Sequence, residues 1–205
     1  MKNGKYDCLI SDLGNVLVNF DHMIAVRKIL QHTPKTKEDL YDVFFDSGLT
    51  ELYEEGKVSP HEFFIKIKDL LELDMDEERF FAIWNDIFFE TSLNKKVHDL
   101  LKSIKGKTKL VMLSNINPTH YKFLKERYDI FKAFDKLILS YEVGYRKPAK
   151  EIYDVALKAG ETTPEKAFYI DDRVDLVEAA KGYGINGVAF TGEEAFLKVE
   201  EEILR

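Results

Sequence analysis

Short apolar runs end on polar side chains at three places along the chain. Leu9-Ile10 leads through Ser11 to Asp12, Lys109-Leu110-Val111-Met112-Leu113 leads into Ser114-Asn115, and Ala167-Phe168-Tyr169-Ile170 leads into Asp171-Asp172. Runs of this length read as buried strands, and in an open α/β sheet the residues just past the strand ends face the ligand crevice. Three such ends predict one shared site. From Lys109 onward strands and helices alternate, with strands at 109–113, 137–139, 167–170 and 187–190, and helices at about 119–128, 149–159, 174–183 and from 193. That alternation predicts an α/β fold, a Rossmann-like doubly wound parallel sheet covered by helices on both faces.

After Asp21 the pattern turns helical and stays so to about Ser103. One helix is expected over His22 to Gln31, and another from Thr36 through Leu40, Val43 and Phe44 to Gly48. Ser59-Pro60-His61-Glu62 is a helix start, with Ser as N-cap, Pro in the first turn and Glu closing a capping box. Further helices are expected from Asp76 and, with Ser92 as cap, through Val97, Leu100 and Leu101. Phe63, Phe64, Phe80, Phe81 and Trp84 recur at helical spacing, which reads as the core of a small bundle. The predicted organisation is therefore a core of residues 1–20 and 104–205 interrupted by an α-helical cap of residues 21–103.

Composition narrows the partners. The chain has 205 residues, 45% hydrophobic and 33% charged, enough for one domain with an insertion. Its net charge of -7, with acids and bases interspersed, offers no basic face for a nucleic-acid backbone. Cys8 is the single cysteine, so no internal disulfide can form; inside an apolar run it reads as a small buried hydrophobe. No stretch is long and apolar enough for a signal peptide or a membrane span, and a cytoplasmic location is the expectation. The linear chain does not indicate an oligomeric state.

Asp12, Ser114, Lys147 and the Asp171-Asp172 pair, brought to one crevice, define a chemistry. Crowded carboxylates repel, and hard oxygen ligands of this kind suit Mg²⁺ with a substrate phosphate. Lys147 can neutralise phosphoryl charge, Ser114 can hydrogen-bond phosphoryl oxygens, and Asp12 is the candidate nucleophile.

In these residues the chain resembles the haloacid dehalogenase-like superfamily. Its four short motifs match in order: Asp12-Leu13-Gly14-Asn15-Val16, Leu113-Ser114-Asn115, Arg146-Lys147-Pro148 and Ile170-Asp171-Asp172. The helical insertion sits where one class of the family carries its cap. The resemblance implies an aspartyl-phosphate intermediate on Asp12, and Mg²⁺ held by Asp12, the Gly14 carbonyl and an acid of the fourth motif; of that pair Asp172 is assigned as the ligand with Asp171 in support, the reverse order being the alternative. It also implies phosphate or substrate contacts from Ser114, Asn115 and Lys147. The Asp-Leu-Gly-Asn start is similar to that of family members acting on sugar 1-phosphates. The implied activity is a Mg²⁺-dependent phosphatase for a small phosphorylated metabolite.

One departure stands out. Phosphatases of the family usually carry a second Asp two residues after the nucleophile as general acid and base; here that position is Gly14. Asp21, His22 and His120 are the candidate substitutes, and Arg146 is expected to pair with a surface carboxylate. Two rival readings use the same residues. A 2-haloacid dehalogenase of this family would have an aromatic residue at position 14 and no adjacent acids at 171 and 172. A catalytically weak binding or regulatory protein is compatible with Gly14.

Overall fold

The structure is a computed structural model and describes residues 5–204. Strand β1 (Cys8–Ser11) opens the chain's core, and β2 (Asn19–Phe20) and β3 (Phe88–Phe89) are two-residue strands. β4 (Lys109–Ser114), β5 (Lys136–Leu139), β6 (Ala167–Asp171) and β7 (Asn186–Ala189) follow. The sheet order is β5-β4-β1-β6-β7, with every pairing parallel. Chain order runs outward from β1 to β4 and β5 on one side, and through β6 to β7 on the other. The carboxyl end of β1 therefore lies where the winding changes direction, the place where doubly wound sheets open a crevice.

Alternate residues of each strand serve opposite layers, as a period of two requires. Leu9, Leu110, Met112, Phe168 and Ile170 point into one apolar cluster, while Cys8, Ile10, Val111, Leu113 and Tyr169 point into another. The expected Rossmann-like core with helices on both faces is what the chain forms.

The insertion carries α1 (His22–Ile29), α2 (Lys37–Tyr41), α3 (Leu49–Glu54), α4 (Pro60–Leu71) and α5 (Glu77–Asn85). Their starts follow local chemistry. Ser59 and Glu62 close the expected capping box with Pro60 in the first turn, Thr36 and Asp39 close another, and Asp76 accepts from Arg79 N. α2 does not run on to Gly48 as an α-helix; it widens into a π turn over Asp42–Asp46. Tyr53, Phe63, Phe80 and Trp84 form this region's own buried cluster, with Tyr53 stacked on Phe63 at 4.3 Å.

Helices α6 (Ser92–Ile104), α7 (Pro118–Arg127), α8 (Ser140–Val143), α9 (Lys150–Ala159), α10 (Val174–Gly182) and α11 (Glu193–Leu204) belong to the second part of the chain. Thr91, not Ser92, caps α6: its hydroxyl accepts from Asn94 N while Asn94 Oδ1 accepts from Thr91 N. Both residues are good caps by type, and the Asn three positions on selects Thr91. The buried face of α6, Val97, Leu100, Leu101 and Ile104, packs into the sheet cluster, whereas the helical cluster ends at Ile87. β2 and β3 pair antiparallel, Phe20 opposite Phe88, and so tie together the two chain crossings between sheet and insertion.

Candidate active site

The site begins where β1 ends. Asp12 N donates to Ile170 O at 2.8 Å, carrying the ladder one residue past the strand and holding Asp12 beside the end of β6. The chain then turns: Leu17 N and Val18 N both donate to Leu13 O, and Asn15 takes a positive φ of 52°, which Asn tolerates better than most residues. Asn15 Nδ2 donates to Asp172 Oδ2 at 2.8 Å. Asp12, Asp171 and Asp172 each bring a carboxylate oxygen within 4.8 Å of the others.

Lys147 stands among them almost fully buried. Its Nζ donates to Asp12 Oδ1 at 2.8 Å and to Asp171 Oδ2 at 2.6 Å. Asp171 is also held by the Tyr169 hydroxyl and by Arg173 N, so it is fixed and inaccessible to water. Asp172 is half-buried and touches Asn15. Burial lifts the Asp12 carboxyl above the usual range, to about 7; the Lys147 ammonium pulls against that and Asp171 adds to it. Burial disfavours the Lys147 charge, but the two carboxylates outweigh it and hold the ammonium protonated. Burial also raises Asp172.

The end of β4 supplies the opposite wall. Asn115 clamps the backbone of Lys147 in both directions, accepting from Lys147 N at 2.8 Å and donating to Lys147 O at 3.1 Å. Ser114 is buried at the strand end, and both line a cavity between the sheet and the helical insertion. Leu13, Phe20, Ile87, Phe88 and Ile116 form its apolar walls, and Gly14, His22, Glu54 and His120 complete it.

The three candidate substitutes for the missing acid fare differently. Asp21 is the N-cap of α1, accepting from Met23 N, and takes no part in the cavity lining. His120 has both ring nitrogens engaged, Nε2 with Trp84 O at 3.1 Å and Nδ1 with Asn117 Nδ2 at 3.0 Å. Burial lowers it to about 3, so it carries no spare proton near neutral pH. His22 lines the cavity between the rings of Phe20, Phe45 and Trp84; burial lowers it too, and its buried Nδ1 lacks a partner. A Cβ at Gly14 would lie 2.8 Å from Phe20 Cε1, so the ring fills the space a side chain there would need.

Glu54, on the last turn of α3, was not singled out from the sequence. Arg146, expected to meet a surface carboxylate, meets two acids of α3: Nη1 lies 3.0 Å from the exposed Glu51, and Nε donates to Oε2 of the half-buried Glu54 at 2.8 Å. Burial raises the Glu54 carboxyl, with Arg146 opposing the rise. No local signal marks Glu54, because its significance depends on a contact across 92 positions of chain.

A capped, doubly wound α/β hydrolase is the class of protein that this fold and crevice define. The chain belongs to the haloacid dehalogenase-like hydrolase family, whose profile matches residues 6–184. It is 29% identical over 184 residues to the D-ribitol-5-phosphate phosphatase of Bacteroides thetaiotaomicron, covering 86% of this chain and 87% of the relative. It is 25% identical to a sesquiterpene phosphatase of Aspergillus oryzae, covering 91% of this chain and 90% of the relative. A Bacteroides thetaiotaomicron enzyme of the family, solved in complex with magnesium and inorganic phosphate, superposes with a TM-score of 0.81 at 25% identity, covering 94% of this chain and 98% of the other. Among the described residues no helix is long and apolar enough to cross a membrane.

Proposed function

We propose that the chain is a Mg²⁺-dependent phosphatase that hydrolyses a small phosphorylated metabolite through an aspartyl phosphate on Asp12. The observation that carries the reading is the group at the strand ends: three acids with oxygens within 4.8 Å of one another and a buried lysine bridging two of them. Hard oxygen ligands of this kind fit Mg²⁺, and the mutual repulsion of the three acids is relieved by a cation. Asp12, the Gly14 carbonyl and Asp172 would hold the ion, with Asp171 in support; Asp172 is the more accessible of the pair, while Asp171 is already taken by Lys147, Tyr169 and Arg173. Bound there, the ion supplies charge balance for the phosphoryl oxygens.

This chain's own residues do the rest. Lys147 favours the ionised form of Asp12 against the effect of burial and orients it, and its ammonium remains beside the transferred group as negative charge shifts. Ser114 donates to a phosphoryl oxygen, and Asn115 lines the cavity while fixing Lys147 through the backbone. Asp12 attacks phosphorus, the alcohol departs, and water then hydrolyses the acyl phosphate. The cap, expected over residues 21–103, is taken as 21–87 because α6 packs into the sheet cluster; it encloses the cavity and excludes bulk water during transfer.

A sugar or polyol phosphate is the substrate class that the similarity to the ribitol phosphate enzyme supports, and the chain acts on it as a soluble catalyst without nucleic acid or membrane. The adjacent acids at 171 and 172 weigh against metal-free dehalogenation. The test is phosphate release from a panel of sugar, polyol and prenyl phosphates with Mg²⁺ or EDTA, with Asp12→Asn alongside. Mg²⁺-dependent release that disappears in the variant is expected; release that persists in Asp12→Asn would overturn the assignment.

A further inference from the structure

We propose that Glu54, carried by the cap, donates the proton to the departing alcohol in place of the acid that position 14 lacks. The inference rests on the phosphatase reading. Position 14 supplies no carboxylate because it is glycine, and Phe20 lies in the space a side chain there would enter. Of the residues lining the cavity shared with Gly14, Ser114 and Asn115, Glu54 is the one with a carboxyl group.

Its placement is built rather than incidental. The α3 segment is fastened to the sheet domain at three successive points. Tyr53 OH donates to Thr119 Oγ1 at 3.0 Å, Arg146 grips Glu54, and Gly56 abuts the Tyr141 carbonyl. At Gly56 a Cβ would lie 2.2 Å from that oxygen, and its φ of 67° is one that glycine adopts freely. The segment thus reaches a separation from α8 that other residues would forbid. The charges facing Glu54 are Arg146 and Lys147 from the loop before α9, and Glu51 from its own helix; the imidazoles of His22 and His120 share its cavity. Burial raises its carboxyl above the ordinary range, and Arg146 opposes the rise. His120 has no free ring nitrogen, and His22 is held neutral by burial.

The steps balance as follows. The Asp12 carboxylate forms a bond to phosphorus as the P–O ester bond breaks; the ester oxygen keeps that electron pair and takes the proton of Glu54, leaving the alcohol and a Glu54 carboxylate. Water then bonds to phosphorus and the acyl P–O bond breaks, returning its electron pair to Asp12. Glu54 takes the water's proton, and inorganic phosphate leaves. One ester and one water give one alcohol and one phosphate.

The test compares wild type and Glu54→Gln with Mg²⁺ on phenyl phosphates of graded leaving-group acidity, from p-nitrophenyl to phenyl, together with ribitol 5-phosphate. kcat/KM, which reads the transfer to Asp12 and not the later hydrolysis, should stay near wild type for p-nitrophenyl phosphate, whose leaving group needs no proton, while it falls by roughly 10²–10⁴-fold for the alkyl ester and the aryl series shows a steeper gradient. Equal losses across the series, or none, would overturn the proposal. Glu51→Gln breaks the other half of the Arg146 pairing and should keep the wild-type gradient; a steepened gradient there would assign the effect to cap docking and equally overturn it. Wild-type turnover of p-nitrophenyl phosphate that vanishes in Asp12→Asn reads the phosphatase assignment by itself, so failure of one claim is distinguishable from failure of the other.

Discussion

Acid should unfold this protein through His120. Asn117 Oδ1 accepts from His120 N and from the Thr119 hydroxyl, so the amide nitrogen of Asn117 is the group that faces His120 Nδ1. Nδ1 must then accept and Nε2 donate to Trp84 O, which fixes a neutral tautomer. A second proton would sit on Nδ1, buried and pointed at a donor. The imidazole is accordingly pushed down from 6.5 to about 3, mainly by burial. Protonation is therefore easier in the unfolded chain, and the neutral form's contribution is fully present above 6.5 and lost as pH falls toward 3. Two pH units below 6.5 the loss is roughly 3 kcal/mol at 1.36 kcal/mol per unit, against a usual total of about 5–15 kcal/mol. Urea unfolding of wild type and His120→Gln between pH 7.5 and 4.5 measures it. Asp12, Glu54 and Asp172, whose raised carboxyls act in the opposite sense, cancel in the difference. Wild type should lose roughly 3 kcal/mol more than the variant over that range; parallel curves would refute the reasoning.

Three further outcomes follow from the site. Lys147→Met leaves Asp12 and Asp171 facing each other without their cation, and loss of one partner in a buried ion cluster costs about 3–5 kcal/mol; Mg²⁺ should restore part of that in the same urea titration. Asn15→Ala frees Asp172 from its amide partner, and the Mg²⁺ concentration giving half-maximal phosphate release should rise about 10–100-fold. Gly14→Asp should depress turnover despite adding the acid usual in family phosphatases, because its side chain meets Phe20; combined with Phe20→Ala the loss should shrink, and additive effects in a double-mutant cycle would exclude the clash.

What could be read from the chain was what local chemistry decides. Leu9 through Asp12 and Ala167 through Asp172 announced strands with polar ends because a strand buried on both faces is apolar throughout, and its end is where polarity can return. Ser59 and Asp76 announced helix starts because a cap acts within three residues. The fate of α6 was not legible: its apolar stripe of Val97, Leu100, Leu101 and Ile104 looks the same whether it meets other cap helices or the sheet. Thr91 against Ser92 turned on a side chain two positions past Ser92. Phe20 and Glu54 lay beyond local reach, since one acts by filling a neighbour's space and the other through Arg146, far along the chain.

The consecutive residues Arg146 and Lys147 explain why the cap and the strand ends are best considered together. Lys147 turns toward Asp12 and Asp171, and Arg146 turns toward Glu51 and Glu54 on the cap. Asn115 holds the same short stretch of backbone from the end of β4. A shift of α3 that withdrew Glu54 would therefore pull on the chain segment that positions the Lys147 ammonium, and a rigid Asn115 clamp resists that pull. Docking of the cap and charge balance at Asp12 are thus mechanically adjacent through a single peptide unit. On this reasoning Arg146→Ala perturbs two things at once, the placement of the cap carboxyl and the register of Lys147, whereas Glu51→Gln perturbs neither. Comparing those two variants separates the placement of Glu54 and Lys147 from the ion pair with Glu51.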